Sequence, residues 1–113
     1  MSKARQKGTS WETTLLPIMR QLFGPQVERA PLKGVQDKGD FTGTPFLVEA
    51  KNTLKPLFQQ WARVAERKAD RWVIVWKGDM RKPGNGPYVL MPLSLFQSLV
   101  DPFPVERAEL VDL

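Results

Sequence analysis

Phe46-Leu47-Val48-Glu49-Ala50-Lys51 has the make-up of a β-strand. Successive strand side chains alternate between faces, so Phe46, Val48 and Ala50 share one side and Leu47, Glu49 and Lys51 the other. The second set is odd for a buried strand. A carboxylate and an ammonium two residues apart, beside apolar neighbours, look placed rather than merely solvated. Just upstream, Thr42-Gly43-Thr44-Pro45 has turn chemistry, so Asp40-Phe41 is predicted to form the other arm of a hairpin.

Downstream, residues 53–69 are expected to form a helix with Pro56 in its first turn. Leu57, Trp61 and Val64 mark its inward face, joined by the stem of Lys68, while Arg63, Glu66 and Arg67 are solvated. Arg71-Trp72-Val73-Ile74-Val75-Trp76 is β-rich and nearly all apolar, which suits a central strand covered on both faces. Residues 78–87, with three Gly and two Pro, read as a mobile loop. Residues 88–91 then make a short strand and 93–100 a short helix.

Toward the N-terminus, Thr9 or Ser10 can cap a helix that stops before Gly24-Pro25. Trp11, Leu15, Ile18 and Leu22, with Leu16, Met19 and Phe23 beside them, give it a broad apolar face. Pro17 predicts a kink or a late start. Residues 26–29 are a candidate first strand and 30–38 a loop. The first eight residues, with Lys3, Arg5 and Lys7, are expected to be a flexible basic arm, and residues 101–113 a tail. The element order α-β-β-β-α-β-β-α implies one domain over residues 9–100, of α/β class, with a mixed central sheet flanked by helices.

Composition removes much chemistry. The 113 residues contain neither Cys nor His. Thiol nucleophiles, zinc knuckles, iron–sulfur sites, Ser-His-Asp triads and imidazole-based nuclease centres are therefore out of reach. Hydrolytic chemistry has to rely on carboxylates, Lys, Tyr or a hard metal held by oxygen. The net charge of +5 favours an anionic partner, most simply nucleic acid. No apolar run approaches the ~18 residues that cross a bilayer, and the first residues lack the apolar stretch of a secretory signal. A cytoplasmic protein with no membrane partner is expected.

Asp40 and Glu49-Ala50-Lys51 form the candidate constellation. Attack on an anionic phosphodiester calls for a cation at the phosphate, and Mg²⁺ accepts oxygen ligands while keeping several waters. Asp40 and Glu49 from adjacent strands, with the Ala50 carbonyl, can supply those ligands. Lys51 can orient or deprotonate a bound water and offset developing charge. The bare acidic-x-Lys pattern carries little, because it recurs at Glu66-Arg67-Lys68 on a helix with no strand partner. An ion pair on a solvated edge strand fits Glu49 and Lys51 as well.

The wider block is more specific. Lys7-Gly8-Thr9-Ser10-Trp11-Glu12, the spacing from Gly39-Asp40 to Val48-Glu49-Ala50-Lys51, Gln59-Gln60-Trp61 and the strand ending in Trp76-Lys77 resemble the PD-(D/E)XK nuclease superfamily. Within it, the chain is similar to Holliday-junction resolvases of the phage and archaeal type, over roughly residues 7–99. Gly39 stands where the motif name has Pro, a variation common among resolvases. The resemblance implies a restriction-endonuclease-like fold, with Glu12, Asp40 and Glu49 as metal-binding acids and Lys51 as the catalytic lysine. It places Gln59 or Gln60 near the site and Arg29 within reach of phosphate. Glu12 also suits a helix's first turn, Arg29 an ordinary surface charge, and either Gln an exposed helix former.

The function implied is a Mg²⁺-dependent endonuclease, with Mn²⁺ as a substitute, that resolves four-way DNA junctions during recombination. Paired cuts in opposed strands suit a homodimer acting in the host cytoplasm if phage-encoded. Lys3, Arg5, Lys7, Arg29, Lys33, Lys38, Gln59, Gln60 and Lys77 are the expected DNA contacts. The alternatives are a nuclease of the same family acting on flaps, forks or duplex DNA, a non-catalytic DNA-binding module, and a basic structural protein.

Overall fold

In a computed structural model, which describes residues 3–31, 39–79 and 81–101 with side chains from Ser10 onward, the elements follow the expected order. They are α1 (Lys3–Phe23), β1 (Glu28–Arg29), β2 (Phe41–Thr42), β3 (Leu47–Lys51), α2 (Phe58–Lys68), β4 (Trp72–Trp76), β5 (Tyr88–Leu90) and α3 (Leu93–Val100). The class is α/β, with three helices and two small sheets among the described residues.

The larger sheet has the order β3-β4-β5. β3 runs parallel to β4 in the register Leu47↔Trp72 to Lys51↔Trp76, and β5 runs antiparallel to β4. All five residues of β4 are buried, as expected of a strand covered on both faces. Its alternation divides the core in two. Val73 and Val75, with Val48 of β3, pack against Trp11, Leu15 and Met19 of α1 and Leu95 of α3. Trp72, Ile74 and Trp76, with Leu47, pack against Trp61 and Ala65 of α2. The two faces read from residues 46–51 therefore lie under different helices, and Glu49 is buried on the α2 side.

The expected β2–β3 hairpin does not form. β2 pairs instead with β1, Glu28↔Thr42 and Arg29↔Phe41, in a separate antiparallel ladder. One isolated bridge, parallel in sense, links Gly39 to Val48. The predicted single mixed sheet is thus a three-stranded mixed sheet with a two-stranded ladder beside it. Pro45 contributes no amide N–H to a hairpin ladder. The turn is also drawn toward the end of α1, because Gln26 Nε2 donates to Gly43 O at 3.0 Å and Phe23 O at 2.6 Å.

Helix boundaries differ from expectation at both N-termini. α1 reaches back to Lys3, through backbone expected to be an arm, and continues past Pro17, which sits on an exposed position. Its buried stripe is Trp11-Leu15-Met19, while Ile18 and Leu22 are exposed. α2 begins at Phe58 rather than 53. Pro56 disfavours helical backbone at Lys55, and Thr53 is engaged elsewhere: its carbonyl accepts Trp76 Nε1–H at 2.6 Å and its hydroxyl donates to Lys55 O. Leu57 consequently lies before the helix, and both it and Val64 are exposed; Trp61 and Ala65 take the inward positions.

Candidate active site

The site forms along β3, one of the two edge strands of the larger sheet among the described residues. Asp40 reaches that edge because the Gly39–Val48 bridge clamps its backbone. Its N–H donates to Val48 O at 2.8 Å, and its carbonyl accepts Ala30 N–H at 2.9 Å. The side chain then turns along β3, where Oδ2 accepts the Ala50 N–H at 2.7 Å. Gly39 has φ +97°, in the left-handed region, and a Cβ there would stand 2.7 Å from Val48 O. Proline, locked near −65°, is incompatible with that backbone, so glycine before Asp40 has a physical cause.

Asp40 and Glu49 lie within hydrogen-bonding reach of each other. Burial pushes the Asp40 carboxyl up to about 7, and the charges of Glu49 and Glu12 push the same way. The Ala50 N–H opposes them. Glu12, half-buried on α1, is raised above the ordinary carboxylate range by burial, against the pull of Arg29 and with a push from Glu49. It stands farther out. Its charge is felt by Asp40, yet no group of three acidic side chains compact enough to enclose a metal forms among the described residues.

Three cations surround the acids. Arg29 Nη2 lies 4.0 Å from Glu12 Oε2, its Nη1 donates to Thr13 Oγ1 at 3.3 Å, and its Nε is buried with no hydrogen-bond partner. Lys51 shares a cavity of about 170 Å³ with Glu49, Gln60, Trp61 and Lys68, its ammonium 5.8 Å from the Trp61 ring centroid. Gln60 is therefore the glutamine beside the site, and Gln59 is exposed outside that cavity. Lys68 Nζ donates to Glu49 Oε1 at 2.7 Å. Lys68 is the residue that motif reasoning passed over. Its seven-residue spacing from Trp61 on the inward face was the available signal, but the Glu66-x-Lys68 pattern read as a chance repeat.

Of the expected DNA contacts, Lys77 is half-buried with its ammonium 5.9 Å from the Trp11 ring centroid. The side chains of Lys3, Arg5 and Lys7, and all of Lys33 and Lys38, lie outside the described residues, as does the tail beyond Asp101.

The donor set is all oxygen and suits a hard cation. Two neighbouring carboxylates are as many as Mg²⁺ commonly takes from a protein, water filling the remaining positions. No protein-family model matches the chain, and no curated protein or solved structure is significantly similar to it. Among the described residues no helix is long and apolar enough to cross a membrane.

Proposed function

We propose that the chain is a Mg²⁺-dependent structure-selective DNA endonuclease that resolves four-way junctions as a homodimer, on a reduced restriction-endonuclease-like core. The observation that carries this reading is the convergence of half-buried Asp40 and buried Glu49 on one strand edge, with Lys51 lining the same cavity as Glu49. Asp40 and Glu49 would hold the ion, with Glu12 placed to bind its water from farther out. When bound, the ion supplies a counter-charge for the phosphate and lowers the pKa of a coordinated water. Lys51 is set to orient that water and take up charge developing on the phosphate. Gln60 offers an amide to the same space. Arg29 holds Glu12 and keeps one buried N–H for an acceptor. The basic balance of the chain favours the DNA backbone, with selectivity from duplex shape rather than base readout.

The test compares wild type with Asp40→Asn and Glu49→Ala on a four-way junction. Both variants should lose cleavage in Mg²⁺ by at least about 10²-fold, the usual scale for removing such a group, while junction binding in Ca²⁺ survives. Mn²⁺ should replace Mg²⁺. Unchanged cutting by Glu49→Ala would rule out this site, and binding without cutting by wild type would make the chain a non-catalytic DNA-binding module.

A further inference from the structure

We infer that Lys68 is a built-in counter-ion that occupies Glu49 in the metal-free protein and releases it when a divalent ion enters. The inference rests on the metal-binding reading of Asp40 and Glu49. Lys68 Nζ stands 2.7 Å from Glu49 Oε1, and their side chains are only 23% and 10% exposed. A charge-assisted hydrogen bond this sheltered from water is a strong one. It neutralises Glu49 on the face buried under α2, where an unpaired carboxylate is costly. An ion bound to Glu49 brings a double positive charge to the same carboxylate. The ammonium and the ion then repel, and the metal has to displace Lys68 or bind against its field.

The surroundings provide a way out for the ammonium. Lys68 lies in the last turn of α2, where the helix dipole favours a cation whatever Glu49 is doing. Among the described residues it is also the one common to two neighbouring hollows. On one side is the 170 Å³ cavity with Glu49 and Lys51; on the other is a groove of about 330 Å³ lined by Thr42, Thr44, Phe46 and Leu47. Because Lys68 lines both, rotation of its flexible stem would carry the ammonium from the first toward the second. Lys68 is thus a positioning residue that holds Glu49 and lowers the affinity of the site for metal.

Calorimetric titration of the full chain with Mn²⁺ alone, without DNA, tests this. Lys68→Met keeps the stem and removes the charge, and should tighten Mn²⁺ binding about ten-fold, or ~1.4 kcal/mol. It should also lower the melting temperature without metal and enlarge the rise that saturating Mn²⁺ produces. Lys68→Arg keeps the charge and should bind Mn²⁺ like wild type. If Lys68→Met does not fold, Lys68→Gln replaces it with the same expectation. Unchanged or weaker Mn²⁺ binding by the neutral variants overturns the inference, as does an equal shift in Lys68→Arg. Loss of metal binding in Glu49→Gln supports the underlying site; binding unaffected by Glu49→Gln removes that site, whatever Lys68 does.

Discussion

Asp40 carries a stability penalty that pH should reveal. Facing it are Glu12 from α1 and Glu49 from β3, with Arg29 of β1 paired to the first and Lys68 of α2 to the second. Lys51 lines the cavity beyond. The folded carboxyl titrates near 7, whereas an unfolded aspartate titrates near 3.9. Between about pH 4 and pH 7 the folded chain keeps a proton that the unfolded chain has lost. Stability from this group is therefore present at low pH, falls as pH rises through that window, and is lost above it. Asp40→Asn is neutral throughout. Without metal it should match wild type near pH 4 and exceed it at pH 8 by a few kcal/mol in denaturant titrations, since each pKa unit is worth about 1.4 kcal/mol. A wild-type protein that loses nothing relative to Asp40→Asn across this range would mean that Asp40 is not confined beside Glu49. The residue types at this site were legible in the sequence. The partner of Glu49 was not, because Lys68 lies 19 positions away and no local spacing relates a strand carboxylate to the last turn of the next helix.

Among the elements, the Gly39–Val48 bridge does more for the site than either flanking strand, since β1 and β2 have two residues each. Gly39→Ala would place a Cβ 2.7 Å from the Val48 carbonyl at a positive φ. It should destabilise the fold by about 1–3 kcal/mol and displace Asp40, reducing cleavage as well. Gly84 is the matched control, with φ +79° and open space within 4 Å of where its Cβ would stand. Equal losses in Gly39→Ala and Gly84→Ala, measured by urea unfolding, would show that the bridge does not position the acid. Strand alternation in residues 46–51 and the buried character of β4 were readable because period-2 patterning reports directly on which face is covered. The partner of β2 was not readable. A turn motif between two short extended runs suits a hairpin locally, and beyond Pro45 it is the hydrogen bonds of Gln26 and the approach of β1 that redirect the chain.

At the level of the whole molecule, one copy of the 113-residue chain brings one Asp40–Glu49 site. Symmetric cutting of a four-way junction needs two such sites related by a two-fold axis. Sedimentation of the purified protein should return twice the mass of one chain, with junction cleavage at least about ten-fold faster than cleavage of a linear duplex of the same arm sequence, a factor worth ~1.4 kcal/mol in the barrier. Equal rates on flap, fork, linear and four-way substrates would remove the resolvase proposal while leaving the proposed nuclease site in place. A monomeric protein that nonetheless makes paired cuts would overturn the two-fold arrangement.

The sequence by itself determined the α/β class, the order of eight elements, the two faces of β3, and the absence of any thiol or imidazole chemistry. Those properties follow from composition and from side-chain periodicity along a single element, which neighbouring residues settle among themselves. Tertiary structure alone decided which strand β2 joins, which glutamine stands beside the acids, how far Glu12 lies from them, and that Lys68 holds Glu49. Each of these is a distance between elements. It depends on how α1 and α2 close over opposite faces of the sheet, and packing across a core leaves no local pattern in the chain.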